Sequence, residues 1–66
     1  MNLILNGASK TTPAPLSVRG LLEHLGFGNK PVVVELNLRA LFPREFESTL
    51  LNEGDRIEIV QITAGG

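Results

Sequence analysis

No cysteine occurs among the 66 residues. Disulfide staples, thiolate metal sites and a thiol nucleophile carried by this chain are therefore excluded. There is one histidine, His24, and without a second or a thiol beside it no metal-ligand set exists. It reads as a solvated residue at a helix end. Basic excess is missing too: six Lys and Arg stand against seven Asp and Glu, for a formal net charge of −1. Neither nucleic acid nor an anionic membrane is an expected partner. No apolar run approaches the ~20 residues of a membrane span, and the N-terminus lacks the charged-then-apolar order of a signal peptide. The expected location is the cytoplasm. The carboxylates show no spacing that marks an acid/base pair. The stretch from Gly26 to Lys30 lacks Walker spacing and follows a helix instead of opening one. No enzyme activity of its own is expected, and any ATP must be held by a partner.

What is there is globular. Hydrophobic residues make up 42% and charged residues 20%. A chain this short buries only about 60% of its unfolded surface and needs local help. Repeats, linkers and low-complexity segments are lacking, which leaves one domain over residues 1–62 and a tail over 63–66.

The local signals follow one another quickly. Met1 to Leu5 is β-like, and Asn6-Gly7 is a strong hairpin signal, because a type I′ turn needs positive φ at both positions. Ala8 to Thr12 is the expected partner strand, ended by Pro13 and Pro15. Ser17 is a good N-cap. Val18, Leu21, Leu22 and Leu25 match the i, i+3, i+4, i+7 template, predicting a helix from Val18 to Leu25 with Arg19, Glu23 and His24 toward water. Gly20 inside it should cost about 1 kcal/mol relative to Ala. Val32 to Leu36 reads as a strand, Asn37 as a turn, and Ala40 to Phe42 as a short return strand cut by Pro43. A single helical turn fits Arg44 to Thr49 with Phe46 inward, and Arg44 and Glu45 read as a local ion pair. Leu50 and Leu51 are expected to dock the connection, and Asp55 to shape the turn that starts the last strand.

The end of the chain, Gly54 to Gly66, is the most informative stretch. Arg56 to Ile62 holds four β-branched apolar residues in strand length. With period-2 alternation, Ile57 and Ile59 share one face and Glu58, Val60 and Ile62 the other. If the first face meets the helix, Val60 and Ile62 form an apolar patch beside Glu58, a candidate docking surface for partners. Thr63, Ala64, Gly65 and Gly66 are expected to leave the body as a mobile arm. Two terminal glycines make a thin thread able to enter a narrow site on a partner, and the reactive group there is the Gly66 carboxylate. Chance gives a Gly-Gly end in roughly one chain in 200.

The order of elements resembles the β-grasp, or ubiquitin-like, fold: α+β, with a mixed sheet of four to five strands packed on one helix. More narrowly, NLILNG, LLEHL, VVVELN, FPRE and EGDRIEIVQITAGG together resemble the ThiS family, the bacterial sulfur carriers of thiamine biosynthesis. Phe46, where a Trp is often found, and Leu38 after Asn37 depart from that pattern. The resemblance implies a protein co-substrate that itself binds no cofactor. An E1-like adenylyltransferase using ATP and Mg would adenylate Gly66. A cysteine desulfurase or other persulfide donor would supply sulfur, and the resulting thiocarboxylate would feed thiazole synthase. It implies Gly66 as the covalent site, Gly65 as a thin neck, and Ala64 and Thr63 as the rest of the thread. Val60, Ile62 and Glu58 are the candidate partner contacts, and the free carrier is expected to be a monomer. A small-subunit carrier of molybdopterin synthesis and an unmodified β-grasp interaction module remain as alternatives.

Overall fold

A computed structural model describes residues 1–63 of the chain. Five strands and one helix follow in order: β1 (Asn2–Leu5), β2 (Ala8–Thr11), α1 (Val18–His24), β3 (Val32–Leu36), β4 (Arg39–Leu41) and β5 (Arg56–Gln61), with a 3₁₀ turn over Pro43–Glu45 before β5. The strands form one mixed sheet in the order β2-β1-β5-β3-β4. Only the central β1–β5 pair is parallel; the other three pairs are antiparallel. The expected β-grasp architecture is observed, with five strands.

Both hairpins close through two residues with positive φ. Asn6 and Gly7 (φ 49° and 83°) are the residue types such a turn selects. Asn37 and Leu38 (φ 50° and 71°) close β3 onto β4, although Leu is ill suited to that region. Because Leu38 completes the turn, Arg39 already pairs with Leu36. The return strand therefore runs from Arg39 to Leu41, one residue earlier than the expected Ala40 to Phe42. The Phe42 N–H leaves the ladder and donates to the Glu45 carboxylate at 2.8 Å, starting the 3₁₀ turn.

In α1, the Ser17 hydroxyl accepts from the Gly20 N–H at 3.0 Å, as its N-cap role requires. The helix ends at His24, and Leu25, expected inside it, is the C-cap. Gly26 follows at φ 88°, a value that favours glycine. Val18, Leu21 and Leu22 are fully buried and meet Leu3, Val32, Val34, Leu41, Phe46, Leu51, Ile57 and Ile59 in one core on a single face of the sheet. Gly20 has a packing reason as well as a propensity cost. A Cβ added there would meet the Leu16 Cδ1 at 2.9 Å.

Three expectations need correction. Arg19 does not simply face water: its Nη1 donates to the Gly28 carbonyl at 2.8 Å, and its guanidinium lies 5.4 Å from the centre of the Phe46 ring. Leu51 is buried but Leu50 is 64% exposed, because Leu50 forms an isolated bridge with Ser17 and the next side chain points the opposite way. Arg44 and Glu45 have separate partners. The Arg44 guanidinium sits 4.7 Å from the Phe42 ring centre, while Glu45 accepts from the Phe42 backbone.

Candidate functional site: the last strand and its outer face

β5 ends at Gln61, five residues before the candidate covalent residue Gly66, and it is tightly framed. Asp55 shapes the turn before it, as expected: one carboxylate oxygen accepts from the Asn52 N–H at 2.8 Å, the other from the Asn37 side chain at 3.0 Å. Gly54 takes φ 84° in that turn. β5 then pairs with β1 on one side and with all of β3 on the other. Ile57 and Ile59 enter the core. Glu58 and Val60 therefore project from the face that no helix covers, as the alternation predicts.

The register shows what surrounds them. Val60 lies opposite Val33, and Glu58 opposite Glu35. Val33 and Val60 are 46% and 63% exposed. One step further along the β3–β4 register, Phe42 falls opposite Val33; its backbone is still extended and it is 60% exposed. Val60 and Val33, with Phe42 one residue past the end of β4, thus make a row of apolar side chains on the open face. Isolated surface hydrophobes need no explanation, but a contiguous row does. Glu35 and Glu58, directly opposite one another, form a like-charge cross-strand pair beside it, an arrangement that costs stability. Val33, Phe42 and Glu35 were not singled out in the sequence, because cross-strand register is invisible there. The period-2 alternation of any strand, which puts Val33 on the opposite face from Val32 and Val34, was the available signal.

Ile62 is placed differently from Val60. Its N–H donates to the Pro31 carbonyl at 3.0 Å, and it lines a cleft with Arg19, Lys30, Pro31, Val32 and Phe46. It stands at the end of β5, half exposed, where the last residues of the chain depart. Thr63 is exposed just beyond it. Ala64, Gly65 and Gly66, the thread and the candidate covalent site, lie outside the described residues. Among the described residues, no group of three or more His, Cys, Asp or Glu side chains could hold a metal, and His24 is exposed at the end of α1. No described helix is long and apolar enough to cross a membrane.

Comparison with known proteins fits this architecture. The ThiS family profile matches residues 3–66. The crystal structure of the thiamine biosynthesis protein ThiS from Geobacter metallireducens superposes with a TM-score of 0.84 at 35% identity, covering all of both chains. An uncharacterised protein, ycf40, of Porphyra purpurea is 35% identical over the whole chain and 93% of its own length. A thiazole synthase of Paramagnetospirillum magneticum is also 35% identical over the whole chain, which spans only 20% of that much longer protein. With the family profile matching residues 3–66 and the fold of the described residues in agreement with it, this chain is a member of the ThiS family.

Proposed function

We propose that the chain is the sulfur carrier for thiazole formation in thiamine biosynthesis, and that Gly66 is its working end. ThiS-family carriers are not themselves enzymes, so the chemistry is supplied by partners. An E1-like adenylyltransferase binds ATP and Mg. The Gly66 carboxylate oxygen attacks the α-phosphorus, releasing pyrophosphate and leaving an acyl-adenylate. A persulfide sulfur from a cysteine desulfurase or similar donor then displaces AMP at the acyl carbon. A thiol then attacks the donor cysteine's sulfur, breaking the S–S bond inherited from the persulfide. This releases the thiocarboxylate and leaves a disulfide on the donor side, and the thiocarboxylate passes its sulfur to thiazole synthase. The setting proposed for this chemistry is the cytoplasm.

The observation that carries this is the family match, which runs through the terminal Gly-Gly onto a β-grasp body. The body holds the chain firmly up to Ile62 through its bond to Pro31. The relationship to thiazole synthase has its own support, since a protein of that name contains a stretch as long as this chain and similar throughout. The row Val60, Val33 and Phe42, with Glu58 at its border, is the surface on which we place the activating enzyme and the sulfur acceptor. Apolar anchors at the centre of such a patch carry most of the affinity in protein complexes.

Intact-protein mass spectrometry tests the assignment. After incubation with ATP, activating enzyme and sulfur donor, a species heavier by one oxygen-to-sulfur exchange should appear, and the change should map to the C-terminal peptide. A single unmodified mass would move the assignment to a β-grasp interaction module.

A further inference from the structure

The apolar row of the open face is bordered by opposite charge on its two sides. Glu58 precedes Val60 by two residues on β5, and Glu35 follows Val33 by two on β3, which places both about 7 Å away along the sheet. In the other direction the row is followed by Ile62 and Pro31, joined through the Ile62 N–H, and by Pro43 after Phe42. Those three residues also line a cleft of about 280 Å³, in which the charged lining residues among those described are Arg19 and Lys30. Row and cleft share a border.

The cations at this end are set among apolar groups. Arg19 is half-buried; its Nη1 donates to the Gly28 carbonyl at 2.8 Å, and its guanidinium lies 5.4 Å from the centre of the Phe46 ring, itself part of the cleft wall. That bond uses one of the five donors in the arginine fork. Lys30 is exposed and adds a second cation, and Arg44, over the Phe42 ring, places a third at the same end of the row. A positioned guanidinium between apolar walls suits a carboxylate, which it can grip through two parallel bonds. A protein that covers Val60, Val33 and Phe42 also lies over this cleft, and the anions of unmodified protein side chains are carboxylates.

We propose that the cleft receives an Asp or Glu side chain of the activating enzyme, seated beside the apolar groups that cover the row. The inference rests on the carrier assignment, which supplies that partner. Glu35 and Glu58 act in the same sense from the opposite border, because they repel an acidic group placed there. An apolar row by itself accepts a partner in either direction; attraction at one border and repulsion at the other select one orientation.

Titration calorimetry of the full chain with its activating enzyme, without ATP, tests this. Lys30→Glu should weaken association about tenfold or more, and Lys30→Gln about two- to fivefold. Both losses should shrink in high salt. Lys10→Glu, on β2 at the far edge of the sheet, makes the same change in net charge as Lys30→Glu and should leave the affinity unchanged. Lys30 is exposed, so its variants keep the fold, which urea unfolding verifies. NMR of the complex should show the Arg19 guanidinium and Phe46 ring resonances moved. Normal binding by a folded Lys30→Glu chain would overturn the inference. Equal losses in Lys30→Glu and Lys10→Glu would reduce the effect to net charge and overturn it too. Movement of the Arg19 and Phe46 resonances by succinate alone, with partner affinity unaltered in Lys30→Glu, would give the cleft to a free organic anion instead. A chain that is bound but never adenylated once ATP is added would overturn the carrier assignment and leave the cleft's occupant in place. Absence of any binding by the wild-type chain would overturn both.

Discussion

The Asn6 side chain stands in for a missing strand residue beside Ile59. Its Oδ1 accepts from the Ile59 N–H at 2.8 Å and its Nδ2 donates to the Ile59 carbonyl at 3.2 Å. β1 ends at Leu5, where its hairpin turns away, yet β5 runs on past it. The Asn6 amide has the same donor and acceptor as a peptide group, so it continues the parallel ladder by one rung. One residue thereby serves the turn through its positive φ and the central strand through its side chain.

Separating these two roles gives a first prediction. Asn6→Gly keeps the backbone conformation and loses both side-chain bonds, so it should destabilise by about 1–3 kcal/mol in urea unfolding. Asn6→Ala also places a Cβ in the left-handed region and should cost about 1 kcal/mol more. Equal losses in the two variants would mean that φ at residue 6 carries no strain.

Leu38 leads to the opposite expectation. It is 78% exposed, so its side chain contributes little burial, and at φ 71° it sits where a bulky residue is strained. The turn is held in that shape by Asn37, which accepts from the Arg56 N–H at 3.0 Å and donates to Asp55. Relief of about 1–2 kcal/mol of strain outweighs the extra chain entropy of glycine, about 0.5–1 kcal/mol. Leu38→Gly should therefore raise the urea midpoint, by up to about 1 kcal/mol in stability. A lower midpoint would show that the leucine has packing value in the folded state.

How far these features could be read beforehand depended on their range along the chain. Asn6-Gly7, Ser17 with the Val18, Leu21, Leu22 stripe, and the turn before Arg56 are local signals, and each placed its element to within a residue. What escaped was long-range. The Asn6 clamp joins residues 53 apart, and the Val33–Val60 and Glu35–Glu58 pairs depend on which strand lies beside β5. Arg19 looked solvated because helix periodicity cannot show a neighbouring Phe46 brought in by a later turn. Leu50 and Leu51 looked equivalent because composition does not tell which of two adjacent leucines points inward. The outward face of β5 was legible, since alternation alone sets it, but the rest of the apolar row was not.

Alternate residues of β5 should accordingly respond in different ways. Val60→Ser, which adds no charge, should change stability by less than about 1 kcal/mol and weaken association with the activating enzyme by about tenfold or more. Val60→Asp should weaken it further, since the partner would bury a carboxylate. Ile59→Ala, one position earlier and buried in the core, should cost about 2–4 kcal/mol of stability while binding by the remaining folded protein stays near normal. Titration calorimetry on variants checked by urea unfolding separates the two effects. Normal binding by a folded Val60→Asp chain would remove the open face from the docking surface.

Extension of the chain tests the working end itself. One alanine added after Gly66 moves the carboxylate by about 3.5 Å and puts a Cβ where the thread must pass through a narrow site. Misplacement of a reacting group by even about 1 Å can cost on the order of a hundredfold in rate. Adenylation of the extended chain, followed by pyrophosphate release, should fall by at least about that factor. Its urea midpoint should stay within about 0.5 kcal/mol of the parent, because the core is built from Ile57, Ile59 and earlier residues. The two readouts together are decisive: an interaction module would keep both its stability and its partner binding, whereas a carrier keeps its stability and loses its chemistry. Adenylation of the extended chain at the parent rate would mean that the terminal glycine is not the reacting residue.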